Sequence, residues 1–320
     1  MNEMTIIGLI AGIAYYVGRL VRRIKLPGLI GYMILGVLLG PSLLNVVNES
    51  MLDELSFITQ IALGLVAFSI GLELSLNSLK MQGKGIISII FAESLAAFGI
   101  VVGAVYLLTR DMPMALVFGA MAPASAPAGT VAVIQEYRAK GKLTKALYAV
   151  VGFDDGLAII IFGFAFALSR SMLLGNAGSA TCIVPEMLIA GKQILLSLAL
   201  GTAIGFVLCL LLPRLDNKRD LLILTLAAVW LGIGISEQFK LSLILTNMVV
   251  GFVLVNRLKD TIIRNVSDKL RDLMPVLFIL FFALAGCHIQ LSLLPSLGLI
   301  GIVYILAGSV PYFVSEEILH

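Results

Sequence analysis

Charge is scarce in this chain. Asp, Glu, Lys and Arg make up 13% of its 320 residues, against 60% hydrophobic, and the mean hydropathy is +1.07. That excludes an ordinary soluble domain, in which about a quarter of residues are charged. Cysteine is scarce too. Cys182, Cys209 and Cys287 form an odd set without metal-type spacing, which argues against a disulfide framework or zinc site and for free thiols. No cleavable signal peptide is expected, since the first apolar run starts at Met4 and basic residues follow it instead of preceding it. The net charge of +3 implies no nucleic-acid partner, because the basic residues are distributed by loop.

What the chain has is long apolar runs. A spanning helix needs about 20 residues, and eleven segments qualify: 4–21, 28–44, 55–75, 85–109, 112–135, 143–169, 187–212, 221–236, 241–256, 273–289 and 294–314. Alternate loops carry 18 of the 22 Lys and Arg, among them Arg22, Lys84, Arg138, Lys218 and Arg271. The other loops hold only Arg110, Arg170, Lys192 and Lys240. The positive-inside rule then places the amino terminus outside and the carboxyl terminus inside. The expected class is an all-α polytopic membrane protein embedded in a lipid bilayer.

Two adjacent aspartates, Asp154 and Asp155, lie near the middle of the sixth segment. One charge at the centre of a membrane helix costs about 2.5–3.5 kcal/mol on insertion scales. Carboxylates kept there point to binding of cations or protons. Neighbours on a helix point about 100° apart, so the two acids are expected to take different roles. Desolvation and mutual repulsion make such a pair exchange protons readily, and a carboxylate that trades a proton for a cation is the core of antiport.

The fifth segment contains Ala122-Pro-Ala-Ser-Ala-Pro-Ala-Gly-Thr130. Pro123, Pro127 and Gly129 predict a broken helix at mid-depth, with the carbonyls of Gly119 and Pro123 left without helical partners. Discontinuous helices at the midplane are a recurring binding-site device of secondary transporters. Ser125 and Thr130 add hydroxyls able to ligate a small cation. Glu93, inside the fourth segment, is either a second proton site or a structural hydrogen-bonding group. Glu73 and His288 read as residues near the membrane surface, Glu237 and Lys240 as a surface pair, and Trp230 as packing.

The stretch from Ser125-Ala-Pro-Ala-Gly-Thr through Gly141-Lys-Leu-Thr144, followed by Gly152-Phe-Asp-Asp-Gly-Leu157, resembles the bacterial monovalent cation/proton antiporter family, sodium/proton exchangers included. So do Leu26-Pro-Gly-Leu-Ile-Gly-Tyr-Met-Ile-Leu-Gly-Val-Leu-Leu-Gly-Pro41 and Gly71-Leu-Glu-Leu-Ser-Leu76. The resemblance covers at least residues 26–290. It implies a scaffold, a moving core and alternating access in a bacterial inner membrane, with homodimerisation through scaffold helices. It implies Asp155 as the main ligand of a transported Na⁺, K⁺ or Li⁺, and Asp154 as the partner of a lysine late in the chain. The ions are substrates, and no cofactor is expected. The Asp-Asp pair implies electrogenic exchange. Some members carry an acid in the broken helix, where this chain offers Ser125 and Thr130.

A weak internal repeat joins Met33-Ile-Leu-Gly-Val-Leu-Leu39 to Met248-Val-Val-Gly-Phe-Val-Leu254, and Phe68-Ser-Ile-Gly-Leu-Glu-Leu-Ser-Leu76 to Phe282-Ala-Leu-Ala-Gly-Cys-His-Ile-Gln-Leu291. Seven helices separate the copies, and an odd offset inverts topology. Carried through, the repeat predicts thirteen helices. The expected layout is scaffold 1–84, core 85–170, linker helix 171–216, second scaffold 217–290 and an incomplete second core 291–320. Nothing after Arg271 is Lys or Arg, so the lysine partner of Asp154 is not found. A truncated, non-transporting remnant is therefore one alternative reading. A cation-coupled symporter of organic anions is another, set against the lack of a midplane base. An intramembrane aspartyl protease would need aspartates on separate helices, and every other aspartate reads as a loop residue.

Overall fold

The computed structural model describes residues 3–76, 84–124, 127–173, 180–215, 217–293 and 298–308. Among them there is no strand, and each of the eleven apolar segments holds a helix. In chain order these are α1 (Glu3–Arg23), α2 (Gly28–Leu39), α3 (Glu49–Glu54), α4 (Ser56–Glu73), α5 (Lys84–Thr109), α6 (Met112–Met121) and α7 (Pro127–Glu136). They continue with α8 (Lys142–Leu173), α9 (Ala180–Leu211), α10 (Lys218–Gln238), α11 (Leu243–Arg257), α12 (Asp260–Cys287) and α13 (Gly298–Gly308). Six of these helices are long and apolar enough to cross a membrane by themselves.

Local chemistry sets many of the boundaries. Asn48, Asp111, Asn217 and Ser242 each cap a helix by accepting a backbone N–H two or three residues on. Lys25, Arg110, Arg138 and Lys240 sit in the left-handed region just past the ends of α1, α5, α7 and α10. A cation there also meets the negative end of the helix dipole.

Four expectations need correction. The tenth segment is longer than the apolar run: α12 begins at Asp260, and its first half is an amphipathic stretch carrying Asp260, Asp268 and Asp272. Those aspartates are helical, not in loops, as are Asp53 on α3 and Asp220 on α10. Their charges recur on one face of a helix that buries Val266 and Leu270 on the other. Glu237 does not turn to Lys240 but accepts a hydrogen bond from the Gln60 side chain. Trp230, expected to pack, is half exposed at the bundle surface.

The internal repeat is visible as paired contacts. α2 crosses α12 and α4 crosses α11, each so closely that glycine is required. A side chain on Gly36 would strike the Ala283 carbonyl, and one on Gly251 the Phe68 carbonyl. A side chain on Gly286 would strike the Met33 carbonyl, and one on Gly71 the Met248 carbonyl. One constant spacing along the chain separates Met33 from Met248, Gly36 from Gly251, Phe68 from Ala283 and Gly71 from Gly286. The same spacing relates Leu74 to Ile289 and Leu76 to Leu291, and these residues are clamped alike. Asn256, at the end of α11, accepts the Leu76 N–H (2.7 Å) and donates to the Leu74 carbonyl (3.4 Å). Ser42, just past α2, accepts the Leu291 N–H (3.1 Å) and donates to the Ile289 carbonyl (2.5 Å). The two clamps lie at opposite ends of the bundle, as an inverted repeat demands.

Asn256→Ala and Ser42→Ala each remove one clamp and leave a backbone amide to find another partner. Each is expected to cost about 1 kcal/mol, a fall of roughly 2 °C in the thermal unfolding midpoint of the detergent-purified protein.

Candidate ion site

The fifth segment is broken as the prolines require. α6 stops at Met121, the described chain leaves the helix over 122–124, and α7 restarts at Pro127. Pro127 occupies the first position of α7, where its missing N–H would have had no helical partner anyway. The expectation for Gly119 is corrected: its carbonyl is not left bare but accepts the Ala122 N–H at 3.1 Å in a tightened last turn. Pro123 is buried in the turn, while Gly129 and Thr130 lie half-buried in the first turn of α7. Ser125 falls outside the described residues.

α8 brings the aspartates to the break. It packs on α6 and α7 along one side and on α4 and α11 along another, where Gly152 meets Leu74, Met248 and Ile70. Asp154 is 2% exposed. The hydroxyl of Ser94, itself buried on α5, donates to its Oδ1 at 3.4 Å. Glu93, adjacent on α5, is also buried. Asp155 follows on α8, with its side chain outside the described set. One turn beyond Asp154, Ala158 shares a cavity wall with Ala120, Met121 and Ala124 of the break. This cavity, about 640 Å³, continues past Phe162 and Phe166 of α8 to Gln193 on α9 and Ser242 at the start of α11. The break and the part of α8 one turn beyond Asp154 therefore line one space.

Two polar partners escaped the sequence reading. Ser94 was hidden behind Glu93, although a Glu-Ser pair in an apolar helix is itself a signal. Glu136, in the last turn of α7, reaches across to α1 and α2. A charge closing a membrane helix reads as a surface residue, and its partners lie over a hundred positions away.

The chain is similar to known transport proteins along nearly its whole length. A family model described as sodium/hydrogen exchanger, transmembrane, matches residues 8–313. The ammonium/H⁺ antiporter subunit AmhT of Alkalihalophilus pseudofirmus is 24% identical over 284 residues, covering 88% of this chain and 70% of AmhT. Na⁺/H⁺ antiporter 1 of Methanocaldococcus jannaschii is 26% identical over 211 residues, covering 63% of this chain and 47% of that protein. The structure of the sodium proton antiporter MjNhaP1 from Methanocaldococcus jannaschii superposes with a TM-score of 0.71 at 18% identity, covering 98% of this chain and 78% of that one.

Proposed function

As the chain belongs to the sodium/hydrogen exchanger family, a family of transporters, we propose that it exchanges a monovalent cation for protons by alternating access. The observation that carries this reading is the buried Asp154 beside a helix broken at mid-depth, with a cavity leading away from the break. A carboxylate in such a place holds either a proton or a cation, because an uncompensated charge there is costly. Asp155 serves as the cation ligand, assisted by Ser125 and Thr130 across the break. Asp154 carries the proton, with Ser94 holding its carboxylate in place, and Glu93 is a secondary proton site. Na⁺, K⁺, Li⁺ and NH₄⁺ are the cations to test, the last because AmhT is named for ammonium.

The orientation follows from charge: the end bearing Arg22, Arg138 and Lys218 is cytoplasmic and the cavity opens outward. The scaffold consists of α1, α2, α4 and α10–α12, the core of α5–α8, and α9 links them. This gives eleven spans of a thirteen-span inverted repeat, in a bacterial inner membrane and as a homodimer.

Proteoliposomes containing the purified protein and a lumenal pH dye test the proposal. An inward cation gradient is expected to drive proton efflux, seen as fluorescence recovery, and no recovery with any of the four cations overturns it. The electrogenic form adds a sign: a membrane potential imposed with an ionophore for an untransported ion should change the flux severalfold. An unaffected flux would mean electroneutral exchange.

A further inference from the structure

We propose that Glu136 is a latch that holds the basic end of the bundle shut by tying α7 to the α1–α2 hairpin, and that its release opens that end to the ion site. This rests on the alternating-access reading above. The Glu136 carboxylate accepts the Gly28 N–H with both oxygens, at 3.1 and 3.0 Å, and pairs with Arg22 Nε at 3.1 Å. Arg22 in turn donates through Nη2 to the Tyr32 hydroxyl at 3.0 Å. Each part is built for this contact. The residue before α2 is Pro27, which supplies no side-chain cap, so a carboxylate from another segment caps that helix. A Cβ on Gly28 would lie 2.8 Å from Arg22 Nε, so glycine lets the guanidinium cross to Glu136. Tyr32 is buried against Gly18, which fixes the hydroxyl that steadies Arg22.

The latch lies at one end of a boundary that is open at the other. Between Glu136 and the break, α7 is sealed against the scaffold by Ala128, Val131, Ala132 and Ile134, buried in one cluster with Tyr32 and Leu65. Beyond the break, the boundary between α8 and the pair α9–α11 holds the cavity of about 640 Å³. A dry apolar seal gives little directional preference, whereas a carboxylate capping a helix end defines one register. The side chains of Arg22 and Glu136 are 48% and 18% exposed, so the pair is of the weak, partly solvated kind that can break in every cycle.

Site-directed labelling tests the latch without any transport step. In full-length protein with Cys182, Cys209 and Cys287 replaced by alanine, Ala132→Cys reports the sealed boundary and Gln193→Cys reports the cavity. A membrane-impermeant maleimide is applied to vesicles of each orientation. With Glu136 intact, Gln193→Cys should react and Ala132→Cys should react slowly. Glu136→Gln is expected to speed labelling at Ala132→Cys about tenfold and to slow it at Gln193→Cys. Arg22→Gln, which leaves Glu136 to cap α2, should move both rates in the same directions by less, and it carries the test if Glu136→Gln does not fold. Unchanged rates overturn the proposal, and so does faster labelling at Ala132→Cys without the reciprocal fall, which would be local loosening. Reciprocal labelling in a protein without cation-driven flux would uphold the latch and reject only the transport reading.

Discussion

Asp155→Asn is expected to reduce cation-driven proton flux to that of empty liposomes while leaving the protein folded. The amide has the shape of the carboxylate but no charge and no titratable proton. A cation 4 Å from a carboxylate gains about 4 kcal/mol at an effective dielectric of 20, so losing the charge should weaken cation binding a hundredfold or more. Folding should survive, because neutralising an acid inside a membrane helix removes a desolvation penalty. Asp154→Asn should behave differently. If Asp154 carries the additional proton, its amide variant retains cation exchange and loses the response to membrane potential. Flux in Asp155→Asn equal to wild type would move the cation ligand elsewhere, with Glu93 the next buried acid to test.

The second large effect is on stability. Gly36→Ala, Gly71→Ala, Gly251→Ala and Gly286→Ala each place a methyl group against a carbonyl of the crossing helix. Backbone cannot step aside as a side chain can, so each substitution should cost at least the roughly 1–3 kcal/mol typical of overpacking. The expected readout is a loss of monodisperse protein on size exclusion and a clear fall in the unfolding midpoint. Gly99→Ala and Gly103→Ala on α5 are the controls, because a Cβ there meets nothing within 4 Å. Alanine is the better helix former by about 1 kcal/mol, so these two should be neutral or stabilising. Equal behaviour of the two sets would contradict the close crossings. Matching losses at Gly36 and Gly251 would show the two halves carrying the same structural load.

The parts of this molecule legible in its sequence are those set by local chemistry. Apolar length located the helices, and Pro123 and Pro127 located the break, because a proline acts on its own helix. The repeat between Met33–Gly36 and Met248–Gly251 was faint as apolar text and became plain only as contacts. Its clamps use different residues, Ser42 in one half and Asn256 in the other, so the sequence conceals a shared hydrogen-bond pattern. The start of α12 was missed because its charges suggested a loop, although their spacing suits a helix lying half in water. Ser94 and Glu136 were missed for another reason. Each acts on a residue far along the chain, Asp154 in one case and Gly28 in the other, and only the packing of α5 on α8 and of α7 on α2 brings them together.

The central claim is that one buried acidic site holds either a cation or protons. Its most direct test is to titrate a cation into the purified, weakly buffered protein and follow proton release with a pH indicator. The account predicts at least one proton released per cation bound, and neither binding nor release in Asp155→Asn. Cation binding without proton release, or undiminished release in Asp155→Asn, would contradict it.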